Sequence, residues 1–223
     1  NQAAFLRYMA KYRKEAAPDQ YEALCQKAEK VLSHVQELEQ IKGACIDEVR
    51  EQILSVEGRA AHHYWNAIDT VLPAEYNWPG RQGREASDPL NAALNYGYGI
   101  LYSQVERALI LAGLDPYAGY VHTDRPGKPS LVYDFIEPFR VPAVDRVVIG
   151  LANKHVSLNL DERHLLEEGT RRMLAEQVLA RLEKPERYEG KRTPLRVVLQ
   201  DQARHLTTFL RSEREIYEPF IVK

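Results

Sequence analysis

The stretch GYVHTDRPGKPSLVYDFIEPFR, residues 119–140, decides the fold of this chain and carries its first candidate site. The polar centre of the stretch, residues 123–129, contains two prolines and a glycine that interrupt regular structure. After this loop the pattern predicts a helix that Ser130 caps and that ends near Pro138. The stretch is therefore expected to form a loop folded next to an amphipathic helix.

Acidic side chains lie together on one face of this predicted helix. Asp134 and Glu137 follow Ser130 at i+4 and i+7, opposite the apolar side chains. On an ordinary helix two carboxylates more often form only a solvated face. His122, however, lies across the loop and can fold back over them, and an imidazole beside carboxylates is typical of a divalent cation site.

Length and composition limit the class of protein. The chain has 223 residues, 44% of them hydrophobic, which is ample for the core of one helical domain. A net charge of −2 indicates no basic field over the whole molecule. Cys25 and Cys45 form neither a disulfide framework nor a zinc motif, which favours a reducing, cytoplasmic location. No signal peptide or membrane-length apolar run is present, so we expect no membrane association.

Periodicity and helix-boundary residues predict an all-α fold. We expect helices over residues 2–16, 19–40, 44–69, 88–112, 130–138, 141–153, 161–183 and 194–211. Residues 155–160 alternate and predict a small hairpin arm, whereas residues 184–192 read as a polar loop. We divide the chain into leading helices over residues 1–40 and a helical domain with the site over residues 41–223.

A third carboxylate, Glu57, lies on the third predicted helix. It stands between Val56 of the apolar stripe and the small residues of the segment 58–61. That position is poor for a solvated salt bridge, and we expect Glu57 at the rim of a packed interface.

Four groups of residues, in this order, resemble the CRISPR-associated integrase, the DNA-inserting enzyme of spacer acquisition. They are Val56-Glu57-Gly58 with Tyr64-Trp65; Asp88-Pro89-Leu90-Asn91 with Asn95; Ala112-Gly113-Leu114-Asp115-Pro116 with His122; and Ser130-Leu131 with Asp134, Glu137 and Phe139-Arg140. Each group alone is a weak signal, but their order along most of the chain is specific.

The resemblance implies a metal-dependent DNA integrase and endonuclease. It assigns Glu57, His122 and Glu137 as metal ligands, with Asp134 assisting in the catalytic set. Oxygen ligands with one imidazole suit Mg²⁺ or Mn²⁺. The implied reaction is attack of a DNA 3′-hydroxyl on a phosphodiester of the CRISPR repeat, and hydrolysis would use the same site.

The resemblance also implies partners. Double-stranded DNA would be the substrate, and a small ferredoxin-like CRISPR adaptation protein would assemble with the integrase. Phosphate groups are bound by cationic and amide side chains, and aromatic rings can stack on bases. The expected nucleic-acid contacts are Arg59, Tyr64, Arg81, Arg84, Asn91, Asn95, Arg125 and Lys128.

Two alternatives stay open from the sequence. The casposon integrase, a transposon-borne relative, shares the metal motif. From a different class, the chain could be a non-catalytic helical module for DNA binding or assembly. The family carries a β-rich domain before its helices that helps to build a homodimer. No segment here is predicted to form that domain, so dimerisation of these residues stays open.

Overall fold

The computed structural model describes residues 1–83, 86–122 and 127–222, and the chain divides into two compact units, Asn1–Gln82 and Gly83–Lys223. The first unit is built from three α-helices and a short 3₁₀ helix. They are α1 (Gln2–Lys11), α2 (Pro18–Gln40), α3 (Ile46–Asp69) and the 3₁₀ turn Ala74–Tyr76.

Helix α2 is the element on which the first unit packs. Pro18 begins it, at a position where a helix needs no N–H donor. Both α1 and α3 pack against α2 and bury Leu6, Leu24 and Ile68 almost completely. The boundary expected at residue 40 lies within this unit, because α3 continues the packing of α2.

The second unit follows Gly83 and is also mainly helical. Within its described residues the elements are α4 (Pro89–Leu111), α5 (Ser130–Arg140), a π-helical turn (Val141–Asp145), α6 (Arg146–Ala152), α7 (Glu168–Glu183), β1 (Pro185–Tyr188), β2 (Lys191–Pro194) and α8 (Leu195–Leu210). The antiparallel pair β1–β2 is the only sheet among them. The predicted all-α class is therefore confirmed.

Helix α4 forms the centre of the second unit. The Asp88 side chain caps it by accepting the N–H of Asn91 at 2.9 Å, and the chain leaves the helix at Gly113 with φ of 81°. Helices α5, α6, α7 and α8 pack around α4. At Gly97 the backbone of α4 approaches the π-helical turn closely, since a Cβ there would lie 2.6 Å from Cγ1 of Val144.

The end predicted for α5 at Pro138 is wrong. The helix passes through Pro138 and continues to Arg140. Proline cannot donate an N–H to the preceding turn, and the chain widens into the π-helical turn directly afterwards. Five residues of that turn, 141–145, are buried. The apolar surface of Val141–Asp145 thus keeps the chain helical across the proline.

The predicted positions of the hairpin and the neighbouring loop are also wrong. Residues 155–160 contribute only one isolated bridge, Leu160 to Leu166, and α7 begins at Glu168, later than expected. The hairpin lies in the predicted loop instead. Glu189 and Gly190 both have positive φ, 45° and 78°, which is the backbone of a tight two-residue turn.

Both cysteines are free thiols, with Cys25 partly buried and Cys45 exposed. None of the helices in the described ranges is long and apolar enough to cross a membrane.

Candidate active site

His122 and Asp134 are in direct contact across the loop that separates them in sequence. The Nδ1 atom of His122 lies 2.6 Å from Oδ1 of Asp134. The same carboxylate accepts three consecutive backbone N–H groups, from Tyr120 at 2.6 Å and from Val121 and His122 at 3.0 Å. One side chain of α5 therefore fixes both the backbone that carries the histidine and its imidazole ring.

The protonation of this pair follows from its hydrogen bonds. Burial by itself would raise the pKa of Asp134, but the bonds from His122 and from the three backbone amides lower the pKa below its ordinary value. An ionised carboxylate can only accept, so Nδ1 of His122 carries the donated proton. In the neutral imidazole Nε2 then keeps its lone pair, which is the state that a metal ligand needs.

The loop before His122 is held against the start of α5 by Ser130. Its hydroxyl donates to the carbonyl of Tyr117 and accepts the N–H of Gly119 at 3.1 Å. The prediction that Ser130 caps α5 is wrong, because Pro129 occupies the cap and no side chain bonds there. Gly119 is required at this contact, since an added Cβ would lie 2.6 Å from Cβ of Ser130.

Glu137 follows Asp134 by three residues, so both carboxylates lie on the same face of α5. Arg140 binds Glu137 at 2.8 Å, and its guanidinium lies 4.4 Å from the ring centre of Tyr98 on α4. The Tyr98 hydroxyl donates in turn to the buried carboxylate of Asp145. Arg140, held by its contact with the Tyr98 ring, therefore orients the carboxylate of Glu137.

Burial and charge act in opposite directions on Arg140. Burial favours the neutral form, yet the neighbouring Tyr98, Glu137 and Asp145 raise the pKa of Arg140 overall. Arg140 is thus a permanent cation beside the candidate ligand Glu137.

Several residues of this arrangement were missed by sequence reasoning. Tyr133 packs its ring 5.7 Å from the ring of His122 and 5.4 Å, edge to face, from Tyr102. Arg140 could have been found from its i+3 spacing to Glu137. The bond between Tyr98 and Asp145 spans 47 positions in sequence, and no local pattern indicates it.

Glu57 belongs to the first unit, on α3. Val56 beside it is buried, whereas Glu57 itself is exposed. Among the residues that the structure describes, no three His, Cys, Asp or Glu side chains are gathered so that they could hold a metal ion. The metal set Glu57, His122 and Glu137 therefore stays a prediction. The pair that the second unit brings into contact is His122 with Asp134, which was expected to assist the metal set.

The expected DNA contacts of the first unit differ in accessibility. Arg59 is exposed and forms an ion pair with Glu37, and it also donates to the hydroxyl of Ser55 at 3.1 Å. The guanidinium of Arg81 lies 5.7 Å from the ring of Trp65. Tyr64 is completely buried, so its ring is a packing residue and presents no surface to DNA.

The expected DNA contacts of the second unit also differ in accessibility. Asn91 is completely buried and donates to the cap residue Asp88 at 2.8 Å, so it serves the start of α4. Asn95 donates to the carbonyl of Gly83, and Lys128 is partly exposed. Two further predicted contacts, Arg84 and Arg125, lie outside the described residues.

The solved structures that resemble this chain share its helical fold. A structure described as casposase bound to integration product matches all of this chain and 63% of that chain, with 26% identity and a TM-score of 0.78. A Cas6-RT-Cas1–Cas2 complex matches 98% of this chain and 24% of that chain at 20% identity and a TM-score of 0.78, which shows a shared fold.

Sequence comparison identifies the family. Residues 1–181 match the profile of the family described as CRISPR associated protein Cas1, and the chain belongs to this family. The CRISPR-associated endonuclease Cas1 1 of Archaeoglobus fulgidus is 39% identical over the whole chain, and that of Hyperthermus butylicus, named CRISPR-associated endonuclease Cas1, is 38% identical. The chain spans 68% and 64% of these two relatives, about two-thirds of their length.

Proposed function

We propose that this chain is the catalytic helical part of a metal-dependent DNA integrase and endonuclease that inserts spacer DNA into a CRISPR array. The observation that carries the proposal is the contact of His122 with Asp134 on the helix that also bears Glu137, in a chain of the Cas1 family. The reaction would join a DNA 3′-hydroxyl to a phosphodiester of the repeat.

The donor types of the proposed set are those that bind a divalent cation. His122 offers a neutral nitrogen at Nε2 and Glu137 offers carboxylate oxygens, while Asp134 stands behind the histidine as its orienting partner. Glu57, on α3, is the third donor of the proposed set. Oxygen donors with one imidazole favour Mg²⁺ or Mn²⁺, which would supply Lewis acidity toward a phosphate oxygen.

The chain's own groups would perform the remaining work. Asp134 holds the imidazole in one tautomer, so that Nε2 is the ring nitrogen that would bind the metal. Arg140 keeps the Glu137 carboxylate in one orientation and adds a positive charge near the place where a DNA phosphate would lie. The segment 120–122, tied to α5 by its backbone, limits the motion of the site when DNA binds.

DNA would be held by cations outside the ligand set. Arg59, Arg81 and Lys128 are the described candidates, and Arg59 would exchange its carboxylate partner Glu37 for phosphate. Such binding should be steeply dependent on salt, because phosphate contacts release counterions. The small ferredoxin-like protein remains the proposed partner, supported by the neighbours described as complexes of Cas1 with Cas2. The homodimer that the resemblance to the family implies is likewise a proposal.

A casposon-type integrase is the second candidate. The casposase match over the whole chain supports the same strand-joining chemistry on a different target. The identities of 38–39% to CRISPR-associated endonucleases favour the CRISPR role. Joining that requires a CRISPR repeat would support the first role, and joining into a transposon target alone would support the second.

Metal binding tests the proposed site without relying on activity. Calorimetric titration with Mn²⁺ should show a binding event in the wild type that is lost in His122→Ala and Glu137→Ala. Glu176→Ala is the matched control, because Glu176 is also a helical carboxylate paired with an arginine of its own helix, Arg172. Unchanged Mn²⁺ affinity in His122→Ala and Glu137→Ala would remove both residues from the metal site.

A further inference from the structure

The β1–β2 hairpin carries an unusual arrangement of cations. Arg187 lies directly opposite Arg192 in the antiparallel register, and Tyr188 lies opposite Lys191. Directly opposed residues share a face of a hairpin, so the two guanidinium groups project from the same side. Both arginines are exposed.

The other face of the hairpin fixes it to the second unit. The hydroxyl of Tyr188 accepts from Gln202 at 3.2 Å and lies 3.2 Å from Nδ1 of His205, both on α8. Glu186 accepts from Arg181 of α7 and lies 3.7 Å from Arg146. The hairpin therefore has an inner face attached to the helices and an outer face that carries Arg187 and Arg192.

Among the residues that the structure describes, the cations of this hairpin form no ion pair with a carboxylate. A cleft of about 420 Å³ is lined by Pro185, Glu186, Arg187, Gly190, Lys191 and Arg192. Its only carboxylate, Glu186, already binds Arg181 and Arg146. Across the described ranges no ion pair includes Arg187, Lys191 or Arg192, and Glu189 in the turn lies 3.9 Å from His205 instead.

This arrangement differs from that of several exposed arginines elsewhere in the second unit. Four of them have carboxylate partners: Arg172 with Glu176, Arg196 with Glu183, Arg204 with Asp201, and Arg211 with Glu213. Two like charges placed directly opposite each other destabilise a hairpin. A polyanion on the outer face would remove that repulsion.

We propose that the outer face of the hairpin is a phosphate-binding arm for duplex DNA, with Arg187 and Arg192 as its contacts. The inference rests on the proposed function, which makes DNA the polyanion that this chain meets. Duplex DNA carries about one charge per 1.7 Å of helix axis, and its major groove admits a two-stranded β-ribbon. The arm lies outside the motifs that resemble the integrase family, and it would add affinity without base specificity.

The test compares two double variants of equal charge change. Arg187→Gln with Arg192→Gln removes the arm, and Arg172→Gln with Arg211→Gln removes two exposed, ion-paired arginines from the same unit. Affinity for a labelled duplex of arbitrary sequence is measured between 50 and 200 mM KCl (roughly the range over which phosphate contacts are most visible). Circular dichroism melting confirms that both variants fold.

We expect the hairpin variant to bind DNA more weakly and to lose about 1.8 from the slope of log affinity against log salt, or roughly 0.9 per phosphate contact. The control variant should keep the wild-type slope. If both variants had the same slope of log affinity against log salt, the proposed role of the hairpin in phosphate binding would be wrong, while the proposed function would stand. Salt-insensitive or absent binding by the wild type would overturn both. Loss of binding to the small partner with unchanged DNA binding would assign the arm to an acidic protein instead and overturn the proposal.

Discussion

Asp134 lies behind His122, with its Oδ1 atom 2.6 Å from Nδ1 of the imidazole, and it also binds the backbone N–H groups of residues 120–122. The carboxylate therefore acts on the histidine through two connections, one to the ring and one to the main chain. This makes Asp134 a positioning residue for the proposed ligand His122, which is a more definite role than assistance at the metal.

Asp134→Asn should weaken Mn²⁺ binding and strand joining by about 10- to 100-fold, the usual effect of removing an orienting partner of a ligand histidine. The amide has a single acceptor oxygen, so it can accept either from the backbone of Tyr120 and Val121 or from His122, but not from both, and it no longer stabilises the same imidazole tautomer. Calorimetry and joining assays measure the two losses. Asp161→Asn is the control, since Asp161 also accepts backbone N–H groups, from Arg163 and Leu165, at the start of a loop. Identical behaviour of the two variants would refute the positioning role.

Gly119→Ala should lower activity with little loss of helical content. The new Cβ would lie 2.6 Å from Cβ of Ser130, so the loop that carries His122 must move away from α5. A misplacement of about 1 Å can reduce turnover by about 100-fold. Gly169→Ala serves as the control because the space around its Cβ is open. Wild-type joining by Gly119→Ala would show that the loop position is not critical.

Gly97→Ala and Gly99→Ala test the packing of α4 against the π-helical turn. A Cβ at residue 97 meets Val144 at 2.6 Å, whereas a Cβ at residue 99 meets nothing within 4 Å. Overpacking typically costs about 1–3 kcal/mol, and replacing a helical glycine by alanine contributes about 0.5–1 kcal/mol of stability. Urea unfolding should therefore find Gly99→Ala more stable than the wild type and Gly97→Ala less stable than Gly99→Ala. If Gly97→Ala were the more stable of the two variants, the π-helical turn would accommodate the added methyl group without loss of stability.

Helix boundaries with a clear local cause were predictable from the sequence. Pro18 and the series Asp88-Pro89 mark helix starts, and Gly113 marks a helix end, because each residue type acts through its own backbone chemistry. The hairpin was not predictable, since its strands are charged rather than alternating and its turn uses Glu189 in a left-handed conformation. Pro138 was interpreted as the end of α5. The chain stays helical beyond it because residues 141–145 are buried, and this burial depends on tertiary packing that the local sequence does not indicate.

In the candidate site too, some features follow from the local sequence and others only from tertiary packing. The spacing of Asp134 and Glu137 on one helix follows from the sequence, and the contact of His122 with Asp134 agrees with a histidine folded back over the loop. The partners that brace Glu137 come from other elements, Tyr98 on α4 and Asp145 in the π-helical turn. Only the fold brings those groups together, so no local spacing indicates them.

Strand joining tests the central claim most directly. A labelled duplex with a free 3′-hydroxyl is incubated with a repeat-containing plasmid in Mn²⁺, with and without the small partner, using wild type, Glu137→Ala and the control Glu176→Ala. The account predicts joined product with the wild type and the control, and none with Glu137→Ala. Duplex binding by the wild type with no joined product under any of these conditions would contradict the integrase account and support a binding module.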